Sequence, residues 1–398
     1  QGERAPLVRM ADRYAGFFLP ATLLVAGIAW AVSGDPVRAL AVVVVATPCP
    51  LILAAPIALV SGLARAARAG VIVKGAGVIE TLGQARTVLL DKTGTLTVGT
   101  PDVREIVTRS DWEPSELLRL AASVDRLSAH VLGEALVAAA RDAGLELSMP
   151  TDVVEDPGQG IGGSVDGLRV LVGSRAFTRA AGVPQDELAS SALMTTRGSG
   201  EAHVVVAIDG HVAGVIVMAD ELRPDAEQIV GRLRAEGIRH VAMLSGDRRS
   251  VAERVGRELG VDRVYAEQSP QEKLEVVRGI SADPDLRPVI MVGDGINDAP
   301  ALAIADLGIA MGAAGATVSS ETADAVVTVD RVDRVADAVH IGRSALRIAR
   351  QSVLAGMGLS IGAMGVAAAG HLAPVAGALF QEAIDLAVIL NALRALRG

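Results

Sequence analysis

Three long stretches of the chain carry no charged residue: between Arg13 and Asp35, from Ala39 to Ala64, and from Gln351 to Gln381. A helix needs about 20 apolar residues to cross a bilayer. The first two stretches each predict one crossing. The third predicts a crossing, a turn at Gly370-His371-Leu372-Ala373-Pro374, and a fourth helix from about Val375 to Leu393. Between these apolar ends the pattern changes. Thr87–Leu90, Val241–Leu244 and Val289–Val292 are short, wholly apolar runs, which read as buried parallel strands. Each is followed at once by an aspartate-bearing loop: Asp91, then Ser245-Gly246-Asp247, then Gly293-Asp294-Gly295. Helical periodicity fills the gaps, for example over Arg223–Glu236 and Arg249–Leu259. The stretch from about Pro101 to Met218 interrupts this alternation. It has its own helix (Glu113–Ser123), a Gly-rich turn (158–163), and alternating strands at His203–Ile208 and Val212–Met218. It reads as a separate α+β insert.

Charge orients the apolar segments. Arg4, Arg9, Arg13, Arg65, Arg68 and Lys74 fall on one side, together with Arg343, Arg347, Arg350, Arg394 and Arg397. The short loops on the other side carry only Asp35, Arg38 and His371. The positive-inside rule then predicts a multi-pass protein of the cell membrane, with both termini and the central segment in the cytoplasm. The net charge of -9 comes with no basic patch, so nucleic acid is not an expected partner. A single cysteine excludes intrachain disulfides. Of 37 basic residues only Lys74, Lys92 and Lys273 are lysines. Such sparing use marks positions where a compact ammonium is required and a planar guanidinium fails.

The three strand-end loops collect the chemistry, because ligands of an open α/β sheet bind at the carboxyl ends of its strands. Asp91 in Asp91-Lys92-Thr93-Gly94-Thr95 suits attack on a phosphoryl group. Backbone N–H groups of the tight turn can cradle the phosphate, with Thr93 and Lys273 reaching its oxygens. Asp294 and Asp298 can share Mg²⁺, with Asp91 and Thr93 completing its oxygen ligands. Lys92, Ser245, Gly246 and Asp247 extend the catalytic set. In the second apolar stretch, Thr47-Pro48-Cys49-Pro50 places two prolines and a soft thiolate ligand within a membrane helix, which must unwind there. In the fourth, Gln381, Glu382 and Asp385 interrupt an apolar span. Carboxylates at membrane depth are functional by default, and Glu382 and Asp385, three apart, are expected on one face. Cys49, Gln381, Glu382 and Asp385 form a candidate site for a transported divalent transition metal.

The pentapeptide DKTGT at 91–95, PQEK at 270–273 and GDGINDAP at 293–300 closely resemble the haloacid-dehalogenase-like superfamily and, within it, the P-type ATPases. The resemblance covers essentially the whole chain. It implies a Rossmann-like phosphorylation domain at 71–100 and 219–345, a nucleotide-binding insert at 101–218, and membrane helices at 1–70 and 346–398. It also implies ATP as substrate. By position, Gly158, Gly160, Gly173, Ser174 and His130 would line the nucleotide, although Val131 stands where heavy-metal pumps usually have proline. Phosphatases of the superfamily carry a second aspartate two residues after the nucleophile. Thr93 stands there, which favours a slowly hydrolysed aspartyl-phosphate over the alternative of a membrane-anchored phosphatase. TPCP with QExxD resembles the heavy-metal subgroup associated with nickel, iron or cobalt. Zinc or cadmium is a weaker expectation and copper(I) is disfavoured, because one thiolate with two carboxylates is a harder donor set than two thiolates. The usual direction in the family is export. A complete pump of the family also has a Thr-Gly-Glu actuator and further helices. Ser199-Gly200-Glu201 reads instead as a hairpin in the insert, so the expectation is a C-terminal portion of a longer protein.

Overall fold

The computed structural model describes residues 6–46, 49–99, 101–109, 111–128, 131–156, 159–184, 201–294, 298–312 and 321–397, with the side chains of all but 6–17, 49–51, 131 and 201. The chain divides into two compact units. One comprises Gln1–Asp91, Gln228–Ala242 and Ser269–Gly398; the other comprises Lys92–Glu227 and Met243–Gln268.

The sheet of the first unit runs in the order Val71–Val73, Ala325–Val327, Leu307–Met311, Val289–Gly293, Thr87–Asp91, His240–Leu244. Val289–Gly293 is parallel to Thr87–Asp91 on one side and to Leu307–Met311 on the other, while Val71–Val73 closes the edge antiparallel. Thr87–Asp91, Val289–Gly293 and Leu307–Met311 are buried along their whole length. This is why they are apolar without alternation, as expected of parallel strands covered on both faces.

All four predicted crossings form helices. The first gives Pro6–Ser33. The second is broken: one helix ends at Val45, Ala46 caps it, and another starts at Cys49 and runs to Arg68. Residues 47–48 lie outside the described residues. The third and fourth give Arg334–Ala368 and Pro374–Ala392. Arg334–Ala368 is 35 residues, well beyond the uncharged run, because it begins 17 residues earlier with a charged, amphipathic segment that includes Arg334, Asp337, Arg343, Arg347 and Arg350. Among the described residues this helix and Pro374–Leu396 are long and apolar enough to cross a membrane. Leu19, Leu24, Ile28, Leu354, Leu379 and Leu390 point outward from these helices, where lipid would meet them.

In the second unit an antiparallel sheet runs in the order Asp102–Thr108, His211–Ala219, Glu201–Ile208, Leu168–Gly173, Gly160–Val165, Thr151–Asp156. Helices Pro114–Asp125 and Val131–Asp142 cover one face through Leu117, Leu120, Val124, Leu136, Val170, Val206 and Ile216. The Gly-rich segment departs from the sequence expectation. Beyond Gln159 it is a strand, Gly160–Val165, paired with Leu168–Gly173, and not a turn. The glycines serve packing: a Cβ on Gly162 would stand 2.6 Å from Leu171 Cδ2, and one on Gly160 would stand 2.6 Å from the Val172 carbonyl. Residues 199–200 of the expected hairpin lie outside the described residues.

Candidate active site and nucleotide pocket

Asp91 is the last residue of its strand and is 3% exposed. Lys273 and Asp298 meet it within the same unit. Lys273 lies in the first turn of helix Pro270–Ser281, whose start is fixed by Pro270 at the first position and by a reciprocal capping box between Ser269 and Glu272. Its Nζ donates to Asp91 Oδ1 and, at 2.8 Å, to Asp298 Oδ1. Asp298 immediately precedes helix Ala299–Ile304, makes no side-chain cap to it and is 1% exposed. Gly293 makes room for it, since a Cβ there would stand 2.6 Å from Asp298 Oδ2. Asp294 is half-buried at the end of the neighbouring strand.

The charges of this cluster do not balance. Burial, then the Asp298 charge, push the Asp91 carboxyl up to about 7; Lys273 opposes this and Asp294 adds to it. Burial opposes the charge on Lys273, yet Asp91 and Asp298 together outweigh it and raise its pKa. One ammonium thus bonds two buried aspartates, and the Asp294 charge acts on Asp91 from the neighbouring strand end. The surplus is negative and the donors are hard oxygens, a set that fits Mg²⁺. Among the described residues no three acidic, imidazole or thiolate groups converge as a ready cation cage.

In the second unit, Lys92 pairs with Asp247 at 2.5 Å, and the Asp247 N–H donates to Ser245 Oγ at 3.1 Å. Ser245 is fully buried, while Thr93 is exposed. The loop after Lys92 is pinned locally. Gly94 turns it with φ +71°, and its N–H donates to Thr97 Oγ1. The Thr97 hydroxyl lies 2.6 Å from Asp220 Oδ2, and Arg223 Nε donates to the Thr97 carbonyl at 3.0 Å. Asp220 and Arg223 escaped the sequence reading, although two charges in a short apolar-flanked linker are a usable signal.

A cavity of about 230 Å³ opens in the second unit, lined by Asp125, Gln159, Gly160, Gly173, Ser174 and His203 among others. Gly160, Gly173 and Ser174 therefore stand together as expected. Gly158 and His130 lie outside the described residues. Ser174 caps helix Arg175–Ala180 and also donates to Gln159 Oε1 at 3.0 Å. Asp125, not anticipated, is the most unusual lining residue. It is 6% exposed, its Oδ2 has no hydrogen-bond partner among the described residues, and burial followed by the Glu155 charge pushes its carboxyl up to about 7. Gly133 clears space for it, because a Cβ there would stand 2.8 Å from Asp125 Oδ1. The signal was present: Asp125 follows Leu117 and Ala121 on one buried helical stripe, where an acid is out of place.

In the apolar helices, Ser360 Oγ donates to Gln381 Oε1 at 3.3 Å, and Gln381 Nε2 donates to Asp385 Oδ1 at 3.0 Å. Glu382 is exposed on a neighbouring face, so it does not share the inward face with Asp385. The reason is angular. The buried stripe is Gly377, Gln381, Ile384, Val388 and Ala392, which keeps Asp385 near its edge and leaves Glu382 about 60° further round the helix. The Cys49 side chain lies outside the described residues.

A family model for haloacid dehalogenase-like hydrolases matches residues 85–306. The chain is 38% identical over its whole length to a manganese-exporting P-type ATPase of Mycobacterium tuberculosis, covering 55% of that protein. It is 37% identical over its whole length to a zinc-exporting P-type ATPase of Mycobacterium marinum, covering 54% of it. The chain thus spans about half the length of these curated relatives. Among solved structures it resembles a zinc-transporting PIB-type ATPase in the E2.Pi state, with a TM-score of 0.85 and 32% identity over 98% of this chain and 66% of the other. None of these three is named for nickel, iron or cobalt.

Proposed function

The chain belongs to the haloacid dehalogenase-like hydrolases and, within them, to the heavy-metal P-type ATPases, and on that premise we propose that it couples ATP hydrolysis to export of a divalent metal through an aspartyl-phosphate on Asp91. The observation that carries the reading is the buried Asp91–Lys273–Asp298 cluster, two carboxylates on one ammonium, with half-buried Asp294 close enough to act on Asp91. In this reading Asp91 attacks the γ-phosphorus of ATP and ADP leaves. Lys273 holds the attacking carboxylate and offsets charge on the transferring group. Asp91, Asp294 and Asp298 would hold Mg²⁺, which supplies further neutralisation of the phosphoryl oxygens. Thr93 provides no base for water, which favours a long-lived phosphoenzyme. We place the energised site on the cytoplasmic side of the membrane.

For the cargo, we propose zinc first. A thiolate at Cys49 with amide and carboxylate oxygens at Gln381 and Asp385 suits Zn²⁺. Manganese is the second reading, favoured by the oxygen-rich face of Gln381 and Asp385 and by the relative named for it. The expectation of nickel, iron or cobalt finds no support in those relatives and is set aside. The test is ATPase activity of the natural full-length protein against a metal panel. Zn²⁺ or Mn²⁺ should stimulate it by about tenfold, and Cys49→Ser should remove the stimulation. Stimulation by Ni²⁺ or Co²⁺ alone would refute the assignment.

The second unit supplies the nucleotide. Asp125 is proposed to accept a hydrogen bond from the exocyclic amine of adenine, which satisfies its partnerless oxygen. Only the ionised carboxylate does this well. With its pKa near 7 in the empty pocket, ATP binding should weaken about tenfold from pH 8 to pH 6. Asp125→Asn should flatten that profile in calorimetric titrations. An unchanged slope would remove Asp125 from the base contact.

A further inference from the structure

Three glycines of the first unit lie where three of its helices pack together, and two of them touch. Gly62 lies on the Cys-Pro helix Cys49–Arg68, Gly83 on helix Ala76–Gln84, and Gly342 on the long helix Arg334–Ala368. A Cβ on Gly342 would stand 2.7 Å from Gly83 N and 2.7 Å from Leu82 Cβ; one on Gly83 would stand 2.7 Å from Gly342 O. A Cβ on Gly62 would stand 3.0 Å from Ala345 Cβ and 3.2 Å from Ile79 Cγ2. At Gly83 and Gly342 the helices therefore touch backbone to backbone, with no side chain between them to absorb a shift.

The next residue extends the joint. Arg343 Nη2 donates to the Ala85 carbonyl at 2.9 Å, and its guanidinium fills the space beside Gly237, whose φ is +82°. Ala85 leads directly into the strand that ends at Asp91. The following residue ties three strands at that edge. The Arg86 carbonyl accepts from Arg239 N at 2.8 Å and His240 N at 3.1 Å, and Arg86 N donates to Pro288 O at 3.0 Å. Towards its start, the long helix is held to the helix before His240 by Arg232, which bonds Asp333 at 2.7 Å and Asp337 at 2.6 Å. Towards its other end the same helix carries Ser360 against Gln381. From Gly342 to Ser360 is about 27 Å of unbroken helix.

We infer that the Gly83–Gly342 contact, together with Arg343, is the joint that makes the Asp91 strand follow the membrane helices, so that these residues set the metal dependence of phosphorylation without touching ATP or metal. They are positioning residues, and the inference rests on the reading of Asp91 as a metal-gated phosphoryl acceptor. A methyl at position 342 separates two backbones. Loss of the guanidinium at 343 frees the turn ahead of the acceptor strand.

The experiment uses the natural full-length protein in membranes, with two readouts: phosphoenzyme capacity from [γ-³²P]ATP at saturating metal, and the metal concentration giving half-maximal phosphorylation. Gly342→Ala and Arg343→Gln should keep capacity within about twofold of wild type. They should shift the half-maximal metal concentration at least about fivefold and lower metal-stimulated turnover at least about tenfold. Arg343→Lys should recover part of the shift. Gly358→Ala, where an added methyl meets nothing within 4 Å, should behave as wild type. Wild-type metal dependence in both Gly342→Ala and Arg343→Gln would overturn the joint. So would capacity and melting temperature falling together, which marks a merely structural role. A wild type that forms no phosphoenzyme would instead overturn the functional reading, and this inference with it.

Discussion

Asp91→Asn abolishes acid-stable labelling from [γ-³²P]ATP and lowers metal-stimulated ATP hydrolysis on the order of a thousandfold or more, because the amide removes the nucleophile and nothing nearby replaces it. Asp298 is buried and already engaged by Lys273, and Asp294 lies off the end of a different strand. The substitution is not expected to unfold the protein. In the absence of a cation, Asp91 is a buried carboxylate facing Asp298, and its pKa near 7 records how poorly its charge is tolerated. At pH 8 that charge is present and costs stability, so the asparagine variant should melt no lower than wild type in Mg²⁺-free buffer. Labelling that survives in Asp91→Asn would move the acceptor elsewhere. A large fall in melting temperature would mean that the carboxylate is structural.

Lys273→Met has the opposite stability effect and nearly as large a kinetic one. Lys273 is the single ammonium between Asp91 and Asp298, bonded to both and about one-tenth exposed. Removing one partner of a buried ionic cluster costs about 3–5 kcal/mol, since the charges left behind keep their desolvation penalty without compensation. Two buried carboxylates then face each other, and Asp91 takes up a proton that disables it as a nucleophile. Phosphoenzyme formation should fall at least about a hundredfold in quenched-flow measurements. Lys273→Arg should restore stability better than rate, because a planar fork cannot occupy the place of a compact ammonium between two acceptors. Equal stability of wild type and Lys273→Met would show that the cluster is held apart by solvent.

Much of this was legible in the sequence, for identifiable reasons. Uncharged runs ending in arginines leave few alternatives to membrane helices, and wholly apolar runs ending in aspartate leave few alternatives to buried parallel strands. The DKTGT and GDGINDAP strings tie chemistry to those strand ends. The break of the second apolar helix followed from proline geometry, since helix stops at Val45 and resumes at Cys49. What escaped depends on contacts distant in sequence. The glycines at 160–163 look like a turn by composition, but the space occupied by Leu171 and the Val172 carbonyl makes part of that run a strand. Asp125 looks like the polar end of a helix until the cavity beside it is seen. Glu382 and Asp385 satisfy an i, i+3 rule, yet only packing decides which face of a helix turns inward.

The burial of two of the three lysines has a practical side. Lys92 and Lys273 have side chains 8% and 10% exposed, whereas Lys74 lies at the surface and donates to the Glu321 carbonyl. Among the three lysines, amine-reactive reagents therefore meet one open target and two shielded ones. Acylation at positions 92 and 273, scaled to position 74 in the same peptide digest, becomes a footprint of the phosphorylation site, with no probe to be engineered into it.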